Sequence, residues 1–407
     1  MSFDSEPSEE NFGSLTSLGI YTESLERFAG NFDAVFTERK FQLKRISDLR
    51  RRDVLVFAAD INKPTGQISI HYADLLPFTD QLSNLNGKKL DLILETPGGS
   101  GEVAEDLVKA MRAKYEDVAV IVPGYAKSAG TIMAMAADEI LMGPNSGLGP
   151  IDAQIFHQGK SFSADALIEG MEKIKKEVED SGTLNRAYIP ILQQISPGEL
   201  QNAENALNFA KILVTQWLAQ FKFRNWESHS STGIRVTDEE KKKRAEEIAE
   251  HLCNHRFWKT HARSIKLDDL EAMRLKITNY SKTPDLEDAI LRYYILLQMT
   301  FSTNIYKLFE TTSSQVMRFL VPQVPIPPPG GPGLPQMAGV MRFDFQCGVC
   351  KRATGMQANL EKGVPLEVGR IPFPANNVFR CPSCGTQHDL ADLRRQIESQ
   401  VKKPIVD

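Results

Sequence analysis

The amino-acid sequence predicts an α/β protein: a mostly parallel sheet, a helical extension and a small cysteine-bearing module. Three observations carry that expectation. Apolar strand-like runs alternate with helical patterns from about residue 53 to 143. From about 163 the patterns turn mostly helical. Two C-x-x-C pairs stand near the carboxyl end, beyond a proline- and glycine-rich stretch. Strands alternating with helices imply parallel pairing through right-handed crossovers.

In chain order, "MSFDSEPSEENFGS" is acidic and polar, with neither a basic n-region nor an apolar h-region. Residues 1–20 therefore read as a disordered tail and not as a secretory signal. Residues 21–50 read as amphipathic helix. "DVLVFAAD" (53–60) is a buried strand, 69–86 a helix and "LDLILE" (90–95) a second strand. Ser100 to Tyr115 is a helix, "VAVIVPG" (118–124) a third strand, 128–137 a helix and "EILMG" (139–143) a fourth strand. Near-continuous apolar strands suit a sheet covered on both faces. Helical patterns then occupy 163–180, 183–222, 236–252, 266–277 and 283–318. Thr237-Asp238-Glu239-Glu240 forms a helix start with an acidic first turn. "EEKKKRAEE" is a solvated helix face. "VPQVPIPPPGGPGLPQ" opens a semi-rigid linker over 321–339. The expected domains are thus 21–320 and a module at 340–407.

Composition narrows the function. The 407 residues carry a formal net charge of -4, with 42% hydrophobic and 25% charged residues. That balance makes no global case for nucleic-acid or membrane-surface binding. No apolar run reaches the roughly 18 residues of a membrane-spanning helix. The expectation is a soluble, cytoplasmic protein.

Two turns carry the chemistry. Pro97-Gly98-Gly99 follows the second strand, and Ser128 sits among Ala126, Ala129 and Gly130 after the third. Glycines at a helix start can cradle a phosphate, but neither G-x-x-x-x-G-K-[ST] nor G-x-G-x-x-G is present. They can equally form an oxyanion hole, since bare backbone lets a carbonyl approach fixed N–H donors, or simply a tight turn. Ser128 could be an N-cap. Its small neighbours leave room around Oγ, and both turns fall at the carboxyl ends of parallel strands, where open sheets place ligands. A hydroxyl and backbone donors in one crevice suit acyl transfer through a serine nucleophile.

"ETPGGSGEVAEDL", "YAKSAGTIMAMAADEILMGPNSGLGPIDAQI" and, more weakly, "EEIAEHLCNHRFWKTHARSI" resemble the SDH proteinase family, soluble relatives of signal peptide peptidase SppA in the ClpP/crotonase superfamily. The resemblance is strong over about 88–156 and patchy to about 275. It implies a spiral of ββα units, Ser128 as nucleophile, and Gly98, Gly99 and Ala129 amides as the oxyanion hole. It also implies a serine peptidase acting on protein or peptide substrates, assembled as a homo-oligomer. A crotonase-type acyl-CoA enzyme would use the same donors without a nucleophile, and a non-catalytic scaffold would use neither.

The general base stays open. ClpP-like enzymes place a histidine on the strand after the nucleophile helix. Here that strand reads "GPIDAQIF", with Asp152 or Ala153 near the place. SppA relatives use a lysine forty to fifty residues after the serine, and this chain offers Lys173, Lys175 and Lys176. Leu167, Met171, Ile174 and Val178 form one helical stripe. Lys175 lies about 80° from Leu167, at the stripe's edge, while Lys173 and Lys176 point away. A lysine base must be partly desolvated to be neutral near pH 7, so Lys175 ranks first. His157 and His261 are the other candidates.

Cys347, Cys350, Cys381 and Cys384 form "CGVC" and "CPSC", thirty residues apart. Each C-x-x-C turn sets two thiolates on one side of a knuckle, as tetrahedral Zn²⁺ requires. The expectation is a structural, zinc-ribbon-like site with a closed four-sulfur shell. His388 is close in sequence but surplus to that shell. The module could recruit substrates, an adaptor or regulator, or nucleic acid, or could only stabilise the carboxyl end. Cys253 reads as a buried helix residue.

Overall fold

The computed structural model describes residues 19–151, 153–157, 160–229, 231–320, 340–401 and 403–406. Residues 1–18 of the expected 1–20 tail and the 321–339 linker lie outside the described residues, while Ile20 already begins a helix. The chain divides into two compact units, residues 1–321 and 322–407.

In the first unit a seven-stranded sheet runs in the order Gln315–Phe319, Ile305–Thr311, Asp53–Ala59, Lys89–Glu95, Asp117–Val122, Glu139–Met142, Thr278–Asn279. The last five strands are parallel, and the first two are antiparallel additions at one edge. Period-two alternation divides each strand between two cores. Leu55, Phe57, Leu92, Leu94 and Val120 face helices Leu75–Ser83, Gly101–Lys114 and Ala129–Met135. Val54, Val56, Ile93, Ala119 and Ile121 face helices Phe32–Arg50 and Pro284–Phe301, through Leu43, Ile46, Ile290 and Leu297. A sheet buried on both faces explains why its strands read as continuous apolar runs.

Several expectations need correction: residues 21–50 form two helices, Ile20–Phe28 and Phe32–Arg50, the 266–277 stretch is helical only over Leu267–Ala272, and Cys253 is a half-buried C-cap. Residues 283–318 are not one helical stretch: the helix ends at Phe301, and Ile305–Thr311 with Gln315–Phe319 form a hairpin. The strand Ile305–Thr311 is wholly buried against Asp53–Ala59, yet it contains Lys307 and Glu310. Those charges disguise a strand. Glu310 is neutralised inside the protein by Arg39 Nη2 at 3.1 Å. Residues 69–86 are α-helical only over Leu75–Ser83, because the Ile70 backbone bonds to Gly98 and Ser100. Residues 183–222 hold one long helix only from Pro197, started by a capping box in which the Ser196 amide donates to Glu199 at 2.7 Å.

The second unit pairs Val340–Gln346 with Ala353–Asn359, adds Ile371–Pro372, and carries a short hairpin of Val378–Arg380 and Gln387–Asp389. The helix Ala391–Val401 follows. Met356, Phe373, Phe379, Leu390, Ile397 and Ile405 pack with Cys347 and Cys381 as its core.

Candidate functional site

Both turns singled out in the sequence meet at the carboxyl edge of the parallel sheet, and backbone hydrogen bonds stitch them together. Thr96 N–H donates to Tyr125 C=O (2.9 Å), and Lys127 N–H donates to Thr96 C=O (3.0 Å). Gly98 and Gly99 have φ of +99° and +147°, a region that side chains rarely adopt. A Cβ on Gly98 would stand 2.7 Å from the Ser128 Cβ and 3.2 Å from the Ala129 nitrogen. A Cβ on Gly99 would stand 2.4 Å from Ile70 backbone atoms. The glycines are therefore required twice, by backbone conformation and by the close approach of two other segments.

Ile70 grips this turn through its backbone. Its N–H donates to Gly98 C=O (2.7 Å), and its C=O accepts from Ser100 N–H (3.0 Å). Gly98 N–H donates to Thr96 Oγ1 (3.1 Å). The Gly99 and Ala129 amides donate to no group among the described residues.

Ser128 occupies the N-cap position of the Ala129–Met135 helix without capping it with its side chain. Its φ of 49° and ψ of -116° lie outside the regions favoured by a residue with a Cβ, a strain of order 1–3 kcal/mol. Strained serines at strand-to-helix turns present Oγ to an open crevice. Thr131 stabilises the turn from within, its Oγ1 lying 2.8 Å from Ala126 C=O and 3.0 Å from Gly149 N–H. Gly130 lets the helix close on Thr96, whose Cγ2 would stand 2.5 Å from a Cβ there.

The three lysine candidates are exposed on their helix. The Lys175 side chain is 64% exposed and 4.0 Å from Glu172, and Lys173 is 73% exposed and pairs with Glu169. Lys176 is exposed as well. Asp152 and the His157 side chain lie outside the described residues. His261 is half-buried in the loop ending at Ile265, which bridges Leu148.

The sequence reading missed two titratable groups beside the turns. Burial, aided by Lys266, pushes the Lys127 ammonium down to about 8. Its Nζ donates to Ser264 Oγ (2.8 Å), Arg263 C=O (3.0 Å) and Leu148 C=O (3.2 Å), and so ties the serine turn to neighbouring loops. Glu95, the last residue of its strand, is pushed up to about 8 by burial, against the pull of the Tyr125 amide at 2.7 Å. Neither had a periodic signal: Lys127 is masked by its neighbour Ser128, and Glu95 reads as a polar strand end.

Glu95 gives a signed pH dependence. Between the ordinary value of 4.5 and about 8, the folded chain holds a proton that the unfolded chain has released. This group's contribution to stability is therefore complete below about pH 4.5 and is lost as pH rises towards 8. Glu95→Gln, which keeps the neutral shape, is expected to flatten that decline by a few kcal/mol. Urea unfolding at about pH 5 and about pH 8.5 measures it; an equal decline in both proteins would refute the assignment.

In the second unit the four thiols of Cys347, Cys350, Cys381 and Cys384 lie within 4.8 Å of one another. Cys347–Cys384 and Cys350–Cys381 are separated by 3.6 and 3.7 Å. Sulfurs bonded tetrahedrally to one zinc ion stand about 3.8 Å apart, so the donor set fits. The two knuckles are built alike. Lys351 and Gly385, each four residues past the first cysteine, have φ of 59° and 73° and donate their amides to Cys347 C=O (3.0 Å) and Cys381 C=O (2.9 Å). The Cys350 amide, then the Val349 amide and His388, hold the Cys347 thiol down at about 5. His388 Nε2 lies 3.2 Å from Cys347 Sγ. The four thiols can hold a metal ion.

Comparison with known proteins finds likeness over part of the chain. Residues 83–198 match the model of the family described as ClpP-like SDH-type serine proteinase, and this segment contains both turns. The domain that contains this segment is thus ClpP-like, and the matched family points to a serine protease. Two uncharacterized proteins of Methanocaldococcus jannaschii are similar to this chain. One is 39% identical over 102 residues, 25% of this chain and 34% of its own length. The other is 38% identical over 88 residues, 22% of this chain and 30% of its own length. The chain spans about a third of the length of these relatives. A mutant of a membrane-bound stomatin-specific protease is similar at 20% identity and a TM-score of 0.21, over 34% of this chain and 64% of that one. Among the described residues no helix is long and apolar enough to cross a membrane.

Proposed function

We propose that the chain hydrolyses peptide bonds, with Ser128 as nucleophile. The observation that carries this reading is the strained Ser128 facing Gly98, beside two backbone amides, Gly99 and Ala129, that have no other partner among the described residues. Ser128 Oγ attacks the substrate carbonyl carbon, and the two amides stabilise the resulting oxyanion. The serine proton passes to the base and then to the departing amine, leaving an acyl-enzyme that water hydrolyses. Gly98, whose amide is held by Thr96, provides the close approach. The proposed base is Lys175. It stands in solvent in a single chain, so this assignment requires a second copy of the chain to cover its helix and desolvate it. In the second unit we assign Zn²⁺ to the four cysteines in a structural role, since four thiolates close the coordination shell.

The test is fluorophosphonate labelling of the full chain, with the adduct mapped by mass spectrometry. A single adduct on Ser128, slowed strongly in Lys175→Ala, is expected. Absence of any adduct would refute the serine mechanism, and binding of an acyl-CoA in its place would favour a crotonase-type enzyme. An adduct formed at the same rate in Lys175→Ala would remove that lysine from the mechanism.

A further inference from the structure

Behind the Gly98–Gly99 turn lies an ion pair that the proposed chemistry does not use. Lys307 and Asp74 are both fully buried, with Nζ 2.8 Å from Oδ2 and 3.0 Å from Oδ1. We infer that this pair is a positioning device for the oxyanion turn, acting through the strap of residues 69–74. The inference rests on the serine-hydrolase reading above.

The strap has two edges. On one edge, Lys307 Nζ donates to Ser69 C=O (2.8 Å), and Asp74 Oδ2 accepts from His71 N–H (3.1 Å). On the other edge, Ile70, between those two residues, grips Gly98 C=O and Ser100 N–H. The ion pair thus fixes the backbone on both sides of the one residue that clamps the turn. Arg318, opposite Lys307 in the edge hairpin, adds a bond from Nη2 to Ala73 C=O (2.6 Å). The strap cannot shift without moving Gly99, because Ile70 backbone atoms fill the space where a Gly99 Cβ would stand.

A pair of this kind is a poor device for stability alone. Desolvating two charges offsets most of their attraction, and apolar residues of similar size often serve as well. What an apolar pair cannot do is hold the Ser69 carbonyl and the His71 amide. Catalysis is sensitive to such placement: a displacement of about 1 Å can lower a rate about 100-fold.

The experiment compares the full chain with Lys307→Met/Asp74→Leu and with Asp74→Asn. Three measurements are made: thermal unfolding, small-ester kinetics, and amide exchange of the 96–101 peptide. The double variant is expected to melt near the wild-type temperature. Its kcat should fall about 10- to 100-fold with KM unchanged, and exchange at 96–101 should quicken while the Asp117–Val122 strand stays protected. Asp74→Asn keeps an acceptor for the His71 amide and should show a smaller fall. Wild-type kcat and exchange in the double variant would overturn the inference. So would a double variant that melts far below wild type while Asp74→Asn, folded, keeps wild-type kcat and exchange. If the wild type itself neither hydrolyses esters nor takes label at Ser128, the hydrolase reading fails, and exchange at 96–101 still decides whether the strap is a clamp.

Discussion

Ser128→Ala is expected to fold as the wild type does and to lose ester and peptide hydrolysis by about 10⁴-fold or more, the usual cost of removing a nucleophile that acts as a unit with its base. The backbone at Ser128 makes a second, less common result follow. A φ of 49° with ψ of -116° strains any residue carrying a Cβ, and alanine retains that strain. Glycine releases it, at the cost of a more flexible unfolded chain. Ser128→Gly is therefore expected to be more stable than both wild type and Ser128→Ala, by about 1 kcal/mol, while equally inactive. Kinetics with a small ester and denaturant unfolding of the three proteins measure both effects. An inactive Ser128→Gly that is less stable than Ser128→Ala would show that the turn is not strained. Appreciable hydrolysis by Ser128→Ala would place the nucleophile elsewhere.

Removing metal is expected to have the other large effect. Cysteine pairs 3.6 and 3.7 Å apart suit one ion, and a structural zinc supplies about 10 kcal/mol or more of folding free energy in small domains. Cys347 and Cys381 belong to the core of residues 340–406, beside Met356, Phe373 and Phe379. Loss of the ion or of Cys381 therefore removes core packing together with the cross-link. Cys381→Ser, or wild type treated with a strong chelator, is expected to unfold this unit, seen as rapid proteolysis within 340–406. The Ser128 turn draws its packing from a different cluster, so fluorophosphonate labelling should continue at the wild-type rate. Native protein without one equivalent of zinc by elemental analysis would refute the site. Loss of labelling in Cys381→Ser would refute the independence of the two units.

Features encoded locally are legible in the amino-acid sequence. Four of the five parallel strands and the crossover helices between them are legible from apolar runs and 3.6-residue periods, because burial on both faces selects side chains residue by residue; the fifth, Thr278–Asn279, is two residues long and carries no such signal. The Gly98–Gly99 turn and Ser128 were legible as small residues at strand ends, and the four cysteines as two knuckles, since each needs only a few consecutive positions. Tertiary structure alone decided the rest. The strand Ile305–Thr311 resembles helix in sequence because its Lys307 and Glu310 look exposed; their partners Asp74 and Arg39 are more than two hundred residues away. Ile70 falls within a helical pattern in sequence, although its backbone serves the Gly98 turn. The angle of Lys175 along its helix carries no information about which surface covers it, and in one chain its side chain is 64% exposed. Whether a charge is buried, a backbone group is occupied or a lysine is desolvated depends on segments distant in the chain, and only the folded arrangement brings those segments together.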